Sequence, residues 1–462
     1  MAASFYAYAY SLIYWIAMGA SSTSFGRRIA GTILDRRQHI GVIIISLVLA
    51  VLAMLSVKAV LASQKVVAKP SQGAPALKGQ IDPTRLKGEG DGRINILLLG
   101  VGGAEHTAGA LTDTIMVASI DPIHKDVAML SIPRDLYVKI PGYGAAKINA
   151  AGTYGGPELS KQVVSQILDL PIHYYIQADF GAFKQSVDAV GGVQVNPEKA
   201  LYDPDYPCDN GRNYCPFSLK PGAQKLNGAT ALKYVRCRHG VCEGDFGRAA
   251  RQQEVLLALR HEVLAAKTLT NPIKMSALID GIGDHVRMDL QLNEVQKLAE
   301  LLKDAKTDTI TTKVLTNEEG GLLVNGSNTF KGAGSILLPR AGSFDYSEIQ
   351  ELVHTIFADG YLKKESPKIE IVNASGRTGL ADRLNRQLSA YSYQVVGTTT
   401  ATQQQPTTQL VDYSNGTKPY TVRYLQQRFK APVVKGDPAA KPASSADIVI
   451  MVGKDYQLPT QP

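Results

Sequence analysis

Arg248 and Arg251, with Gln252 beside them in Asp245-Phe-Gly-Arg-Ala-Ala-Arg-Gln, read as part of the opening turn of a helix. A cation there faces the positive end of the aligned peptide dipoles, which is unfavourable unless an anion joins it. The apolar positions Val255, Leu256, Leu259 and Val263 recur at helical spacing and carry back to Gln252 and Arg248, so the buried stripe begins in positive charge. Upstream, Tyr234-Val-Arg236-Cys-Arg238-His239 alternates, which places both arginines on one face of an extended segment. Arg236, Arg238, Arg248 and Arg251 then converge on a polyanion such as a pyrophosphate. Solvated or internally paired arginines, with Glu243 and Asp245 as neutralising neighbours, are the alternative.

Further residues could complete such a site. Asp113, in Thr112-Asp-Thr114, enters an apolar strand after a glycine-rich loop and is either a local cap or a hard oxygen ligand for Mg²⁺. Ser131-Ile-Pro133-Arg134-Asp135 stands at the C-terminal end of another apolar strand, the edge at which open α/β sheets bind ligands. Lys147-Ile-Asn149, followed by Gly155-Gly156, is a weaker polar loop. Gly100-Val-Gly102-Gly103 lacks the third glycine of a dinucleotide fingerprint, and neither a P-loop nor a Gly-x-Ser-x-Gly elbow is present.

These residues must be held by exported elements. Ile40 to Val57 is an uncharged apolar run, and Arg27, Arg28, Arg36 and Arg37 outnumber Asp35 on its N-terminal side. That asymmetry keeps the N-terminal flank cytoplasmic and sends the bulk of the chain outward. Phe5 to Ala20 is a second apolar stretch, either another span or an interfacial segment. The expected localisation is the cell membrane, single-pass or two-pass. Cys208, Cys215, Cys237 and Cys242 fall in two local pairs, most simply disulfides 208 to 215 and 237 to 242, since neither spacing is the Cys-x-x-Cys of a zinc turn. The net charge of +8 suits anionic lipid or anionic polymer, and export with no recognisable DNA-binding motif argues against nucleic acid.

The organisation that follows has a cytoplasmic or partly membrane-associated segment 1–39, a transmembrane helix 40–62, a flexible Pro- and Gly-rich linker 63–92, a catalytic domain 93–362 and a small α/β domain 367–456. In the catalytic domain Ile94 to Val101, Thr114 to Ile120 and Val127 to Ile132 are neighbouring strands. Helices are expected at Pro157 to Leu168, Phe180 to Val190, Arg248 to Ala266, Leu292 to Leu302 and Tyr346 to Phe357, giving a layered α/β/α fold on a central mixed sheet. The C-terminal unit reads as a strand from Ile369, a helix Leu380 to Leu388, a strand Tyr393 to Val396, a polar loop Thr398 to Gln409, a helix Thr421 to Phe429 and a last strand Asp447 to Val452.

The motifs at Asp113, Ser131 to Asp135, Lys147 to Asn149, Val187-Asp-Ala-Val-Gly-Gly-Val193, Leu226 to Arg238 and Asp245 to Gln253, in this order, resemble the LytR-CpsA-Psr family of cell-wall glycopolymer ligases, over about Arg93 to Phe357. Ile369 to about Tyr456 is similar to the LytR C-terminal domain. The resemblance implies transfer of a phospho-glycopolymer from an undecaprenyl-pyrophosphate carrier to peptidoglycan, as a phosphodiester. It makes Arg236, Arg238, Arg248 and Gln252 pyrophosphate contacts, Asp113 a ligand of Mg²⁺ (or Mn²⁺), and Arg134 the arginine that engages the acceptor. It also implies an apolar isoprenoid tunnel for which Val255, Leu256 and Leu259 are wall candidates. Many members carry Asp where this chain has Gly102 and Arg where it has Leu111, so Glu105 or His106 in the enlarged loop 103–110 are substitutes to consider. A non-catalytic binder of lipid pyrophosphate or wall polymer and a lipid-pyrophosphate pyrophosphatase are the competing functions.

Overall fold

A computed structural model describes residues 71–78, 81–102, 111–208, 213–265, 285–304, 310–326, 335–440 and 442–457. The expected segment 1–39, the expected transmembrane helix 40–62, the first linker residues 63–70 and the loop 103–110 lie outside the described residues. Among the described residues no helix is long and apolar enough to cross a membrane.

Three apolar strands, β1 (Ile94–Val101), β2 (Thr112–Asp121) and β3 (Asp126–Ile132), form an antiparallel meander. A small hairpin of β4 (Tyr137–Ile140) and β5 (Gly144–Lys147) leads into helix α1 (Ala150–Leu168). The helical conformation of α1 breaks at Gly155 and Gly156, so its regular part starts at Pro157, where a missing N–H costs nothing. Strand β6 (Tyr174–Asp179) then runs parallel to β1 and passes directly into α2 (Phe180–Ala189). Outside the main sheet β7 (Val193–Val195) pairs with β10 (Gln224–Leu226), and β8 (Leu201–Asp203) with β9 (Phe217–Leu219). Helices α3 (Gly228–Arg236) and α4 (Gly244–Ala265) follow. Strand β11 (Val286–Met288), helix α5 (Leu292–Asp304) and strand β12 (Thr311–Val314) complete a six-stranded mixed sheet in the order β11-β6-β1-β2-β3-β12. A further pair, β13 (Leu323–Asn325) with β14 (Leu337–Pro339), precedes α6 (Ser347–Ile356) and α7 (Gly360–Glu365).

Alternation along the strands gives the sheet two buried faces. Ile94 and Ile96 of β1 join Ile120 and Tyr174 in one core, whereas Leu97 and Leu99 join Val117, Tyr175 and the α1 residues Val163 and Val164 in another. A strand covered on both sides must be apolar almost throughout, which is why β1 reads Ile-Asn-Ile-Leu-Leu-Leu. Its Asn95 is buried but accounted for: it donates to the Pro171 carbonyl at 2.8 Å and accepts from Ser119 at 2.7 Å.

The C-terminal unit is a five-stranded sheet, β16-β15-β19-β17-β18, comprising β15 (Lys368–Asn373), β16 (Gln394–Thr400), β17 (Gln409–Asp412), β18 (Val433–Lys435) and β19 (Ile448–Val452), with helices α8 (Leu380–Ala390) and α9 (Pro419–Phe429). β16 continues to Thr400, into the stretch expected to be a loop, because its backbone pairs in parallel with β15 as far as Asn373.

This unit is packed against the first one through the segment expected to be a flexible linker. From Ile81 to Gly92 that segment is part of the folded body: Leu86 is fully buried in the core shared with Tyr424 and Leu425. Its carbonyls at Ile81 and Leu86 accept from Tyr420 and Arg423 of α9 at 3.1 and 3.0 Å. Asp359, fully buried before α7, draws the parts together. It caps Tyr361 and Leu362 and accepts from the N–H groups of Gly90 and Gly92 at 3.0 and 2.8 Å and from the Tyr424 hydroxyl at 3.0 Å. Burial raises the pKa of this carboxyl while its donors oppose the shift. Composition alone marked these residues as a tether, and the tertiary contacts decide otherwise.

Candidate active site

Asp113 occupies an irregularity in the sheet. Gly100 pairs with Thr114 and Val101 with Thr112, so Asp113 is an extra residue on β2, a bulge that re-aims its side chain. Small neighbours permit this: a Cβ at Gly100 would stand 2.9 Å from Thr114, and one at Gly152 would stand 2.3 Å from the Thr112 hydroxyl. The Asp113 carboxylate meets Arg134 at 2.5 Å, across from the end of β3. Arg134 lies 3.6 Å from Asp135, whose other oxygen accepts from Lys147 at 2.7 Å. The backbone N–H of Asn149 donates to the Arg134 carbonyl at 3.3 Å. The two polar motifs around Asp135 and Lys147, separate in sequence, are thus one charge-linked corner.

Helix α4 closes the corner from above. Arg248 reaches the Asp113 carbonyl at 3.5 Å, and Arg248, Gln252 and Phe246 line, with Asp113 and Arg134, a small cleft of about 20 Å³ that opens to the surface. That is room for about one water-sized group. Gln253, the next residue, is buried and donates to the Ser131 hydroxyl and the Lys313 carbonyl, both at 2.9 Å, pinning α4 across β3 and β12.

Three local expectations are corrected. Tyr234 to Arg236 is helical rather than extended, since α3 is capped by Asn227 on the Thr230 N–H and buries Ala231, Leu232, Tyr234 and Val235 at helical spacing. Helix α4 begins at Gly244, so Arg248 stands on its second turn; the Gly244 and Gly247 N–H groups bond to the carbonyls of Arg238 and Glu243. Arg251 does not face the corner. It is buried, and its guanidinium donates to the carbonyls of Tyr234 at 3.0 Å and Cys237 at 2.5 Å, at the negative end of α3. Burial lowers its pKa.

Arg236 is the last residue of α3 and is held by aromatic faces, 4.3 Å from the Phe180 ring centroid and 5.5 Å from that of Tyr206, with a hydrogen bond to the Tyr206 hydroxyl at 3.3 Å. Gln252 approaches it through the neighbouring carbonyl of Val235 at 3.5 Å. The turn that follows carries Arg238 and is closed by the Cys237–Cys242 disulfide, with Cα atoms 5.7 Å apart; Cys208 and Cys215 form a second disulfide. Asp203, buried at the end of β8, accepts the N–H groups of Arg238 and His239 at 2.8 and 3.1 Å and fixes the same turn. Sequence reasoning missed Phe180, Tyr206 and Asp203. Only Phe180 carried a signal, at the C-terminal end of a strand parallel to β1.

The tunnel candidates divide. Val255 is fully buried among Val193, Leu232 and Val235, while Leu259 is partly buried against the same core. As for a metal, the one grouping of three ligand-type atoms among the described residues is Asp203 with Cys237 and Cys242, whose sulfurs are tied in the disulfide. At the corner, Asp113 could supply one carboxylate oxygen, which fits Mg²⁺ completed by substrate phosphate and water.

The fold and corner define an α/β protein whose ligand edge gathers guanidinium groups around an acid. The chain belongs to the LytR-CpsA-Psr family: the profile described as LytR_cpsA_psr family matches residues 54–338, and that described as LytR cell envelope-related transcriptional attenuator matches residues 366–456. It is 36% identical over 239 residues to a protein of Oceanobacillus iheyensis named polyisoprenyl-teichoic acid–peptidoglycan teichoic acid transferase TagU, covering 50% of this chain and 69% of that relative. It is 40% identical over 183 residues to a probable cell wall biosynthesis protein LcpB of Corynebacterium glutamicum, covering 38% and 42%. Among solved structures, TagV of B. subtilis is 26% identical with a TM-score of 0.46, over 57% of this chain and 97% of that one.

Proposed function

We propose that this protein is a membrane-anchored phosphotransferase that moves a glycopolymer from an undecaprenyl-pyrophosphate carrier to a hydroxyl of peptidoglycan. The observation that carries this reading is the Arg134–Asp113 contact beneath Arg248, at the end of the sheet where Phe180, with Arg236 on its ring, follows the strand β6 that pairs with β1. The name of the Oceanobacillus relative supports it. Arg236, Arg238, Arg248 and Gln252 bind the pyrophosphate, and Arg134 orients the incoming hydroxyl oxygen. That oxygen forms a bond to the glycan-side phosphorus, and the bond from this phosphorus to the bridging oxygen breaks. The lipid leaves as polyprenyl phosphate. The hydroxyl proton passes to a carboxylate, and Asp113 and Asp135 both stand beside Arg134. Asp113 would hold Mg²⁺, or Mn²⁺ in its place, which supplies charge neutralisation for the transferring phosphoryl group.

The test is transfer from a synthetic lipid-pyrophosphate oligosaccharide to a peptidoglycan fragment, followed by mass spectrometry. Arg134→Ala should retain lipid binding and lose at least a hundredfold in adduct formation, and Asp113→Asn should abolish transfer without loss of folding. Free glycan phosphate with no adduct would mean hydrolysis instead, and an adduct at wild-type rate from both variants would defeat the assignment.

A further inference from the structure

At the opposite end of α1 from Asp113 lies a wide groove of about 1230 Å³, walled by α1 and α6 of the first unit and by α8 of the C-terminal unit. Gly152, near the start of α1, abuts Thr112, while Asp169, its C-cap, lines the groove. The regular part of that helix alone, Pro157 to Leu168, spans on the order of 18 Å. Three features point to a ligand. First, the lining sets Lys87, Arg383, Arg386 and Arg428 against Glu89, Asp169 and Glu351; Arg428 is neutralised by Glu89 at 2.7 Å, whereas Arg383 and Arg386 of α8 are exposed and neither side chain has an ion-pair partner among the described residues. Second, Gln387 adds an amide, whose paired donor and acceptor suit neighbouring hydroxyl groups, beside Gln350, which already donates to the Ile167 carbonyl at 3.2 Å, and Asn385, which already accepts from the Ser389 hydroxyl at 3.1 Å. Third, His354 is 5% exposed and its Nε2 has no hydrogen-bond partner; the nearest acid oxygen, on Asp169, is 4.0 Å away, too far for a hydrogen bond. A buried polar atom left so is costly unless something from the groove meets it.

We infer that this groove binds an anionic glycan strand, with Arg383 and Arg386 on its charged groups and His354 at its floor, as a second binding site remote from the transfer corner. The inference rests on the proposed function for the choice of polymer. The charged groups are the carboxylates of peptidoglycan, whose sugar hydroxyls the amides would meet. A ligand that reaches both the groove and the corner must be a chain several sugars long, so the groove favours long strands over short fragments.

The full chain in detergent would be titrated with three probes: peptidoglycan fragments several disaccharides long, poly(glycerol phosphate), and neutral dextran. The peptidoglycan fragments should bind most tightly, with dextran at least tenfold weaker; tighter binding of poly(glycerol phosphate), which contains no sugar, would overturn the glycan assignment. Arg383→Gln/Arg386→Gln should weaken the preferred probe at least tenfold and flatten its salt dependence, while transfer to a short acceptor stays at the wild-type rate. His354→Gln should weaken it several-fold with an unchanged melting curve at neutral pH. Unchanged affinity in the double arginine variant, equal binding of dextran, or no binding of either charged probe would overturn the inference. Arg134→Ala separates the two claims: wild-type transfer by that variant overturns the transfer mechanism and leaves the groove standing, whereas lost transfer with intact strand binding supports both.

Discussion

Arginine at this site has two fates, and the difference is burial. Arg248 reaches the Asp113 carbonyl from the rim of a small cleft, while Arg251, three residues on, is consumed in capping α3. Arg251→Met should therefore destabilise the fold by about 2–4 kcal/mol, because two buried carbonyls lose a charged donor. Arg248→Gln should shift stability by less than about 1 kcal/mol and weaken pyrophosphate binding roughly tenfold. Thermal melts beside pyrophosphate titrations would decide this, and a reversed pattern would exchange the two roles. Both arginines were visible in the sequence as a pair. Which of them turned inward was not, since that depends on where the carbonyls at the end of α3 fall. The Asp113 and Arg134 motifs were likewise legible one at a time, and their contact emerges only when β2 and β3 pair.

Elements carry their own lesson about what a pattern can decide. The strands β1 to β3 and the long helices were legible because apolar runs and helical spacing persist over seven residues or more. The last turn of α3 was not, because a five-residue window suits alternation and helical spacing alike. β17 and β18, four and three residues long, carry too little pattern to stand out from loops. Ile81 to Gly92 has the composition of a tether, yet Gly90 is bonded to a side chain 269 positions away. The turn 237–242 is held from two directions, by its disulfide and by Asp203. Cys237→Ser/Cys242→Ser should lower stability by about 1–3 kcal/mol. It should lower transfer at saturating acceptor by more than tenfold, since Arg236 and Arg238 flank the released bond. An unaltered rate would show that Asp203 alone suffices.

For the whole molecule, the junction of the two units responds to acid through His354. Its ring stacks on Tyr391 of the C-terminal unit, with centroids 3.7 Å apart. Burial pushes its pKa down from 6.5 to about 4, against the pull of Asp169 and Glu89 and with the help of Arg428. The unfolded chain binds a proton on this residue below about 6.5. The stability that depends on neutral His354 is thus fully present above that pH and is lost as pH falls towards 4, by at most about 1.4 kcal/mol per unit. Melting temperatures of wild type and His354→Gln should diverge in that window and run parallel above it. Parallel curves throughout would place the acid sensitivity elsewhere.

The clamp around Ile81 to Gly92 also sets how the protein bears mechanical load. Suppose the C-terminal unit were held by a taut external polymer while the chain before Ile81 was held back. Tension would run from α9 through Arg423 to the Leu86 carbonyl, through Tyr420 to the Ile81 carbonyl and through Arg428 to Glu89. It would bypass the bulge at Asp113, which lies at the start of an interior strand of the central sheet. The reactive corner is mechanically in parallel with the strained path rather than in series with it, and its geometry is insulated from pulling.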